Sequence, residues 1–267
     1  MKARFTVILA ALALLGASCD TSSNSNGSSD ANSTGNSNSN ANKSVIPEPP
    51  PPEIKPKEAV DPAFKSCNPY FPLVPGSQLK YTLVYSSGLV ANVTVVVDRD
   101  NENGKAVFVE TTRIMDKDGG GSKLATRTTK YVCDGERVQM IALSNDNKAE
   151  DNETHMEMIF NGSALAMLDP SSLKLKARWS YSFSQTFQVP GKPPQSGGKS
   201  TTMDFEVAGA DTTKVPAGTF KTLKISHKAG AHEISEYYAS GIGLVKREND
   251  DGTRWELTEF SGLKAAD

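Results

Sequence analysis

Few side chains in this chain are suited to chemistry near neutral pH. There are three histidines, His155, His227 and His232. His155 shares strand parity with Glu153 and Glu157, which reads as a solvated surface position. His227 and His232 flank Lys228-Ala229-Gly230-Ala231 and can face each other across a hairpin, with Glu233 and Glu236 nearby. A zinc centre needs three or four convergent ligands, and neither HExxH nor a paired CxxC is present, so no metal or other cofactor is expected. Asp98, Asp100, Glu102 and Gly104 imitate a calcium loop. The glycine falls one place late, however, and Val109 stands where a bidentate glutamate belongs, so a charged hairpin turn is the simpler reading. No GxSxG elbow occurs, and no serine has a base at recognisable spacing. Gly241 and Gly243 are followed by strand-like Leu244-Val245-Lys246, whereas a phosphate-binding loop needs a helix there. No catalytic residue is assigned, and the chain is expected not to be an enzyme.

The cysteines point to an address. The first residues carry Lys2 and Arg4, then an apolar run from Phe5 to Leu15 too short to span a bilayer, then small residues before Cys19. Leu15-Gly16-Ala17-Ser18-Cys19 resembles the lipobox of bacterial lipoproteins, with Gly16 where a leucine is usual. Residues 1–18 are therefore read as a lipoprotein signal peptide and Cys19 as the site of lipid attachment; an ordinary cleaved signal is the alternative. With Cys19 acylated, Cys67 and Cys133 remain as an even pair in an oxidising compartment, a candidate disulfide. Two buried free thiols are the alternative, and neither cysteine has an activating sequence around it.

Charge narrows the partners. Without Lys2 and Arg4 the chain has 27 basic against 31 acidic side chains. A weak acidic balance spread along the sequence offers no footprint for nucleic acid and disfavours adsorption to an anionic bilayer. Membrane association is expected through acylated Cys19 alone, in the bacterial cell envelope outside the cytoplasm and on the periplasmic side.

The elements that must position these residues begin after a long spacer. Residues 20 to 43 are almost entirely Ser, Asn, Thr, Gly, Ala and Asp, too polar to offset their ordering entropy. Pro47 to Pro56 should be extended polyproline II; a proline-motif ligand is the less economical reading. Residues 19–60 are thus read as anchor and stalk, and 61–267 as one domain. From Gln78 onward the apolar period is two. Trp179, Tyr181 and Phe183 share one face against Arg178, Ser180 and Ser182. Met203, Phe205 and Val207 alternate with Thr202, Asp204 and Glu206, and Met156, Met158 and Phe160 do so around Glu157. Asn103-Gly104, Asp118-Gly119, Asp134-Gly135 and Asp251-Gly252 supply hairpin turns. A short helix is expected around Ser163 to Leu168, stopped by Pro170. The fold class is all-β and mainly antiparallel: a single curved sheet or half-barrel of about eleven strands, mostly a meander.

Two motifs carry a family resemblance. Tyr70-Phe71-Pro72-Leu73-Val74-Pro75-Gly76, with Tyr81 following, resembles the opening of the TapB-like family of bacterial envelope proteins. So does Val215-Pro216-Ala217-Gly218-Thr219-Phe220, followed by Tyr237-Tyr238-Ala239-Ser240-Gly241-Ile242-Gly243-Leu244-Val245-Lys246. The resemblance spans roughly residues 68 to 260 and implies a β-rich, half-barrel domain like those of lipoprotein carriers. It brings no catalytic residues. Physically, Pro216-Ala217-Gly218 reads as a tight turn, and Gly241 and Gly243 mark a bulge or turn where backbones approach closely.

A curved antiparallel sheet has an apolar interior, and its contents decide the function. The candidate lining for an apolar ligand is Trp179, Tyr181, Phe183, Met156, Met158, Met203 and Phe205. The expectation is a non-enzymatic binding or carrier module for a hydrophobic small molecule. The alternative is a structural or interaction protein with a filled core, working on other envelope proteins.

Overall fold

The computed structural model describes residues 53–116, 123–149, 152–160, 164–188, 193–197, 200–229 and 232–265. The signal segment, Cys19, the Ser/Asn-rich stretch and the Asp118-Gly119 turn lie outside the described residues. Fourteen strands follow in order: β1 (Gln78–Val84), β2 (Val90–Glu102), β3 (Lys105–Asp116), β4 (Lys123–Asp134), β5 (Arg137–Ala149), β6 (Asn152–Phe160), β7 (Ala164–Met167), β8 (Arg178–Gln188), β9 (Gln195–Ser196), β10 (Thr201–Val215), β11 (Gly218–Ala229), β12 (His232–Ala239), β13 (Gly243–Asn249) and β14 (Arg254–Ser261). The alternating runs read from the sequence are strands, and the architecture is all-β and antiparallel.

Twelve of these strands form a closed ring. Each pairs with the next along the chain, with β7 laid beside β5 and β9 beside β8. The last strand then returns to the first, Leu83 opposite Trp255 and Tyr81 opposite Leu257. The half-barrel expectation is therefore completed rather than replaced: pairing β1 with β14 removes both edges that an open meander would expose. Turn chemistry does what the residue types require. Asn103 (φ 53°) and Gly104 (φ 76°) turn β2 into β3, and Gly135 and Gly252 also take positive φ. The expected helix is not formed. Ala164–Met167 pairs with β5 instead, and only Pro170–Ser172 makes a single 3₁₀ turn, capped by Asp169. Four residues are too few to nucleate a helix against an available strand edge.

A ring of eight strands is about filled by its own side chains, so twelve enclose more than strand residues occupy. The segment before β1 enters this space. Phe64, Cys67, Tyr70, Phe71 and Leu73 pack on the core formed by Tyr131, Met140, Phe183 and Tyr238. Asn68, fully buried, donates to the carbonyls of Glu136 and Leu168 and accepts from the amides of Tyr70 and Phe71. Cys67 is bonded to Cys133 of β4, with Cα atoms 6.2 Å apart and a sequence separation of 66. Upstream, the amide of Lys57 donates to Asp98 (2.6 Å) and Glu58 accepts from the amide of Arg99 (3.0 Å). The chain thus contacts the barrel before the expected start at Asp61.

Both motifs that carry the family resemblance meet at this plug. The amide of Gly241 donates to the Pro69 carbonyl at 2.7 Å, and the Tyr81 hydroxyl donates to the Leu244 carbonyl at 2.8 Å. Gly243, at φ 90°, lies so close to Pro72 that a β-carbon would fall 3.1 Å from its ring. The turn Val215–Gly218 joins β10 to β11, and the Ala217 amide donates to Leu257 on β14. These contacts tie the plug and the ring together.

Candidate binding site

Positions on β1–β8 and β10–β14, together with the plug, leave a cavity of about 180 Å³. One wall is apolar. Of the residues expected to line it, Tyr181, Phe183, Met158, Met203 and Phe205 do so, joined by Phe71, Met140 and Leu143. Met156 is buried in the same core but does not reach the cavity. Trp179 stacks on Phe205 (centroids 5.2 Å, planes 8° apart) and faces a wider recess of about 700 Å³. That recess lies where the β10–β11 ladder begins, at Phe205 opposite His227. Phe205 and His227 stack at 4.8 Å and belong to the walls of both spaces.

The rest of the lining is polar. Glu110, Arg127, Thr129, Tyr131, His227, Glu236, Tyr238 and Arg247 all reach the same cavity. Glu236, on the inward face of β12 with Ile234 and Tyr238, accepts from Arg247 through Nε (2.7 Å) and Nη2. Its second oxygen accepts the Tyr238 hydroxyl at 2.8 Å and stands 3.7 Å from His227 Nε2, too far for a hydrogen bond. Burial opposes ionisation of Glu236, but Arg247 overcomes it and, with His227 and Tyr238, holds the carboxyl well below the usual range. Arg247 also lies over the Trp255 ring at 5.1 Å.

Arg127 and Glu110 form a looser pair, 3.9 Å apart. Here burial wins: it pushes the Glu110 carboxyl up despite Arg127 and Arg247. Arg127 Nε and both ring nitrogens of His227 are buried without a hydrogen-bond partner. Burial likewise pushes the Tyr181 phenol up to about 12. The site can therefore offer donors and an aromatic bed.

Sequence reasoning missed this polar wall, although parity contains the signal. Glu110 shares its parity with Phe108 and Thr112, and Arg127 with Ala125 and Thr129, so both occupy inward positions. His227 and His232 do not face each other: His227 is opposite Ile234, while His232 is opposite Ala229 and bonds Asp250. Of the four residues once grouped around that hairpin, only His227 and Glu236 come together. His155 lies between Asp146 and Glu157 on the outer surface. Among the described residues no group of three or more His, Cys, Asp or Glu is placed to hold a metal.

The outward faces near the recess bear Arg178, Asp204, Glu206, Lys228 and Glu233, unlike the apolar band of a barrel immersed in lipid. No described helix is long and apolar enough to cross a membrane.

No curated protein matches this chain. Two solved structures resemble it: a candidate exported protein with a YmcC-like fold from Bacteroides fragilis (14% identity, TM-score 0.48, covering 73% of this chain and 100% of that one), and a candidate lipoprotein from Parabacteroides distasonis (15% identity, TM-score 0.41, covering 74% and 100%). The DUF3108-like family model matches residues 75–255, from the turn before β1 into β14 and so across nearly the whole ring. On that match the chain belongs to the DUF3108-like family.

Proposed function

We propose that this is an envelope lipoprotein, tethered through Cys19, whose barrel binds a small molecule with an apolar body and carries out no catalysis. The cavity is the observation that supports this reading. Protein interiors leave few voids larger than a water molecule. Here about 180 Å³ stays unfilled by side chains, with Tyr181, Phe183, Met203 and Phe205 along it. An engineered apolar cavity of about 150 Å³ is enough for a benzene ring. The TapB-like motifs, the lipobox-like start and the polar stalk support the envelope address. An interaction protein working through its outer face has no comparable observation in its favour.

Methionine methyl resonances test this reading. Benzyl alcohol should shift the methyls of Met140, Met158 and Met203, which line the cavity, and leave Met167, buried elsewhere in the core, unmoved. No shift at the three lining methyls at millimolar alcohol would overturn the cavity as a binding site.

A further inference from the structure

We infer that the ligand of this cavity is an anion, a small molecule whose carboxylate-type group seats on Arg127 while its apolar body lies against Tyr181, Phe183 and Met203. The inference rests on the proposed binding role and names the chemical class of what is bound.

The polar wall is not evenly neutralised. Arg247 is satisfied, since Glu236 accepts from two of its nitrogens and is itself fully engaged by Tyr238. Arg127 has no such partner. Its nearest carboxylate is Glu110 at 3.9 Å, beyond hydrogen-bond distance, and its Nε is buried and unbonded. Burial also weakens the hold of Glu110 on its negative charge. Two guanidiniums thus face one firmly ionised carboxylate and one reluctant one. Arg127 is partly exposed (21%) with a buried, unbonded Nε; a buried donor is costly while unpaired, and a planar guanidinium fork matches a carboxylate. His227 supports the same direction: it is 8% exposed, with neither ring nitrogen hydrogen-bonded, and it lines the cavity between Phe205 and Glu236. A neutral apolar ligand would fill the aromatic side and leave these donors as they are. A cation would meet both arginines.

Benzoate, benzyl alcohol and benzylammonium share one ring and differ in charge, so they separate the two readings. The mature chain, exported with Cys19→Ser to remove the lipid, is titrated with each by calorimetry, with methionine methyl shifts locating the site. Benzoate should bind at least about tenfold more tightly than benzyl alcohol, the ratio expected from one charge-assisted hydrogen bond, and benzylammonium most weakly. Arg127→Gln should bring the ratio of benzoate to alcohol affinity down to about one, whatever it does to the two affinities together. Arg127→Lys, which keeps the charge but loses the fork, should retain part of the preference. Equal or weaker binding of benzoate relative to the alcohol in the unsubstituted chain overturns the anion inference and leaves the apolar site standing. If none of the three shifts the lining methyls, the binding reading itself fails. The comparison in the unsubstituted chain needs no variant to fold.

Discussion

Glu236 and Glu110 share one cavity wall, yet burial and charge settle them in opposite directions. Glu236 is held well below its ordinary value of 4.5, so it contributes stability above about pH 4.5 that is lost as the pH falls through its folded value. Glu110 is pushed above 4.5, so its contribution is complete below that pH and is lost as the pH rises through its folded value. Glu110→Gln should therefore stabilise the fold at neutral pH and change little in acid, as checked by urea unfolding at both. Glu236→Ala should cost roughly 3–5 kcal/mol at neutral pH by leaving Arg247 buried and unpaired. The double replacement Glu236→Leu with Arg247→Met should recover most of that loss. Unfolding free energies for the three chains check this. The apolar half of the site was legible residue by residue, because Tyr181, Phe183, Met203 and Phe205 announce their face by alternation. The charged half was not, since a lone charge at an inward position looks in sequence like a surface residue slightly out of register.

At the scale of elements, the segment from Phe64 to Leu73 does the work of a plug, and the bond from Cys67 to Cys133 fixes it to β4. Replacing both cysteines with serine should cost roughly 2–4 kcal/mol and loosen the Phe71–Tyr131 contact (5.1 Å). Chemical denaturation and aromatic proton shifts read the two effects. Gly76 shows why the opening motif ends in glycine. It has φ 83°, and a β-carbon there would fall 2.6 Å from the Val60 backbone nitrogen. Gly88 has φ 84° but open space around it. Alanine should be costly at both positions and more so at 76, where backbone rather than a flexible side chain is in the way; roughly 1–3 kcal/mol is expected for the backbone strain alone. Comparing the two unfolding midpoints isolates the packing term. Strand runs and hairpin turns were readable because period and turn chemistry are local. The plug was not, because Asn68 finds its partners at Glu136 and Leu168, far along the chain. The short stretch Ala164–Met167 misled for the same reason: its strand character comes from β5, not from its own residues.

Across the whole molecule, the decisive contact is the return of β14 to β1, which makes a curved meander into a closed ring. No local pattern encodes that closure; a long meander with apolar alternation only makes it economical. Closure over twelve strands leaves room for both a plug and a cavity, which a smaller ring would not. The proposed lipid anchor at Cys19 carries its own test. Cys19→Ala should move the chain from the membrane fraction to the soluble fraction, and metabolic labelling with a fatty acid should be lost with it. The central claim, that the barrel holds a small molecule, is tested most directly by native mass spectrometry. The chain is exported with Cys19→Ser and purified without detergent. A stoichiometric extra mass, released by organic solvent and carried by a small acid, is the predicted result. A clean unliganded mass, together with no uptake of benzoate or benzyl alcohol, would contradict it.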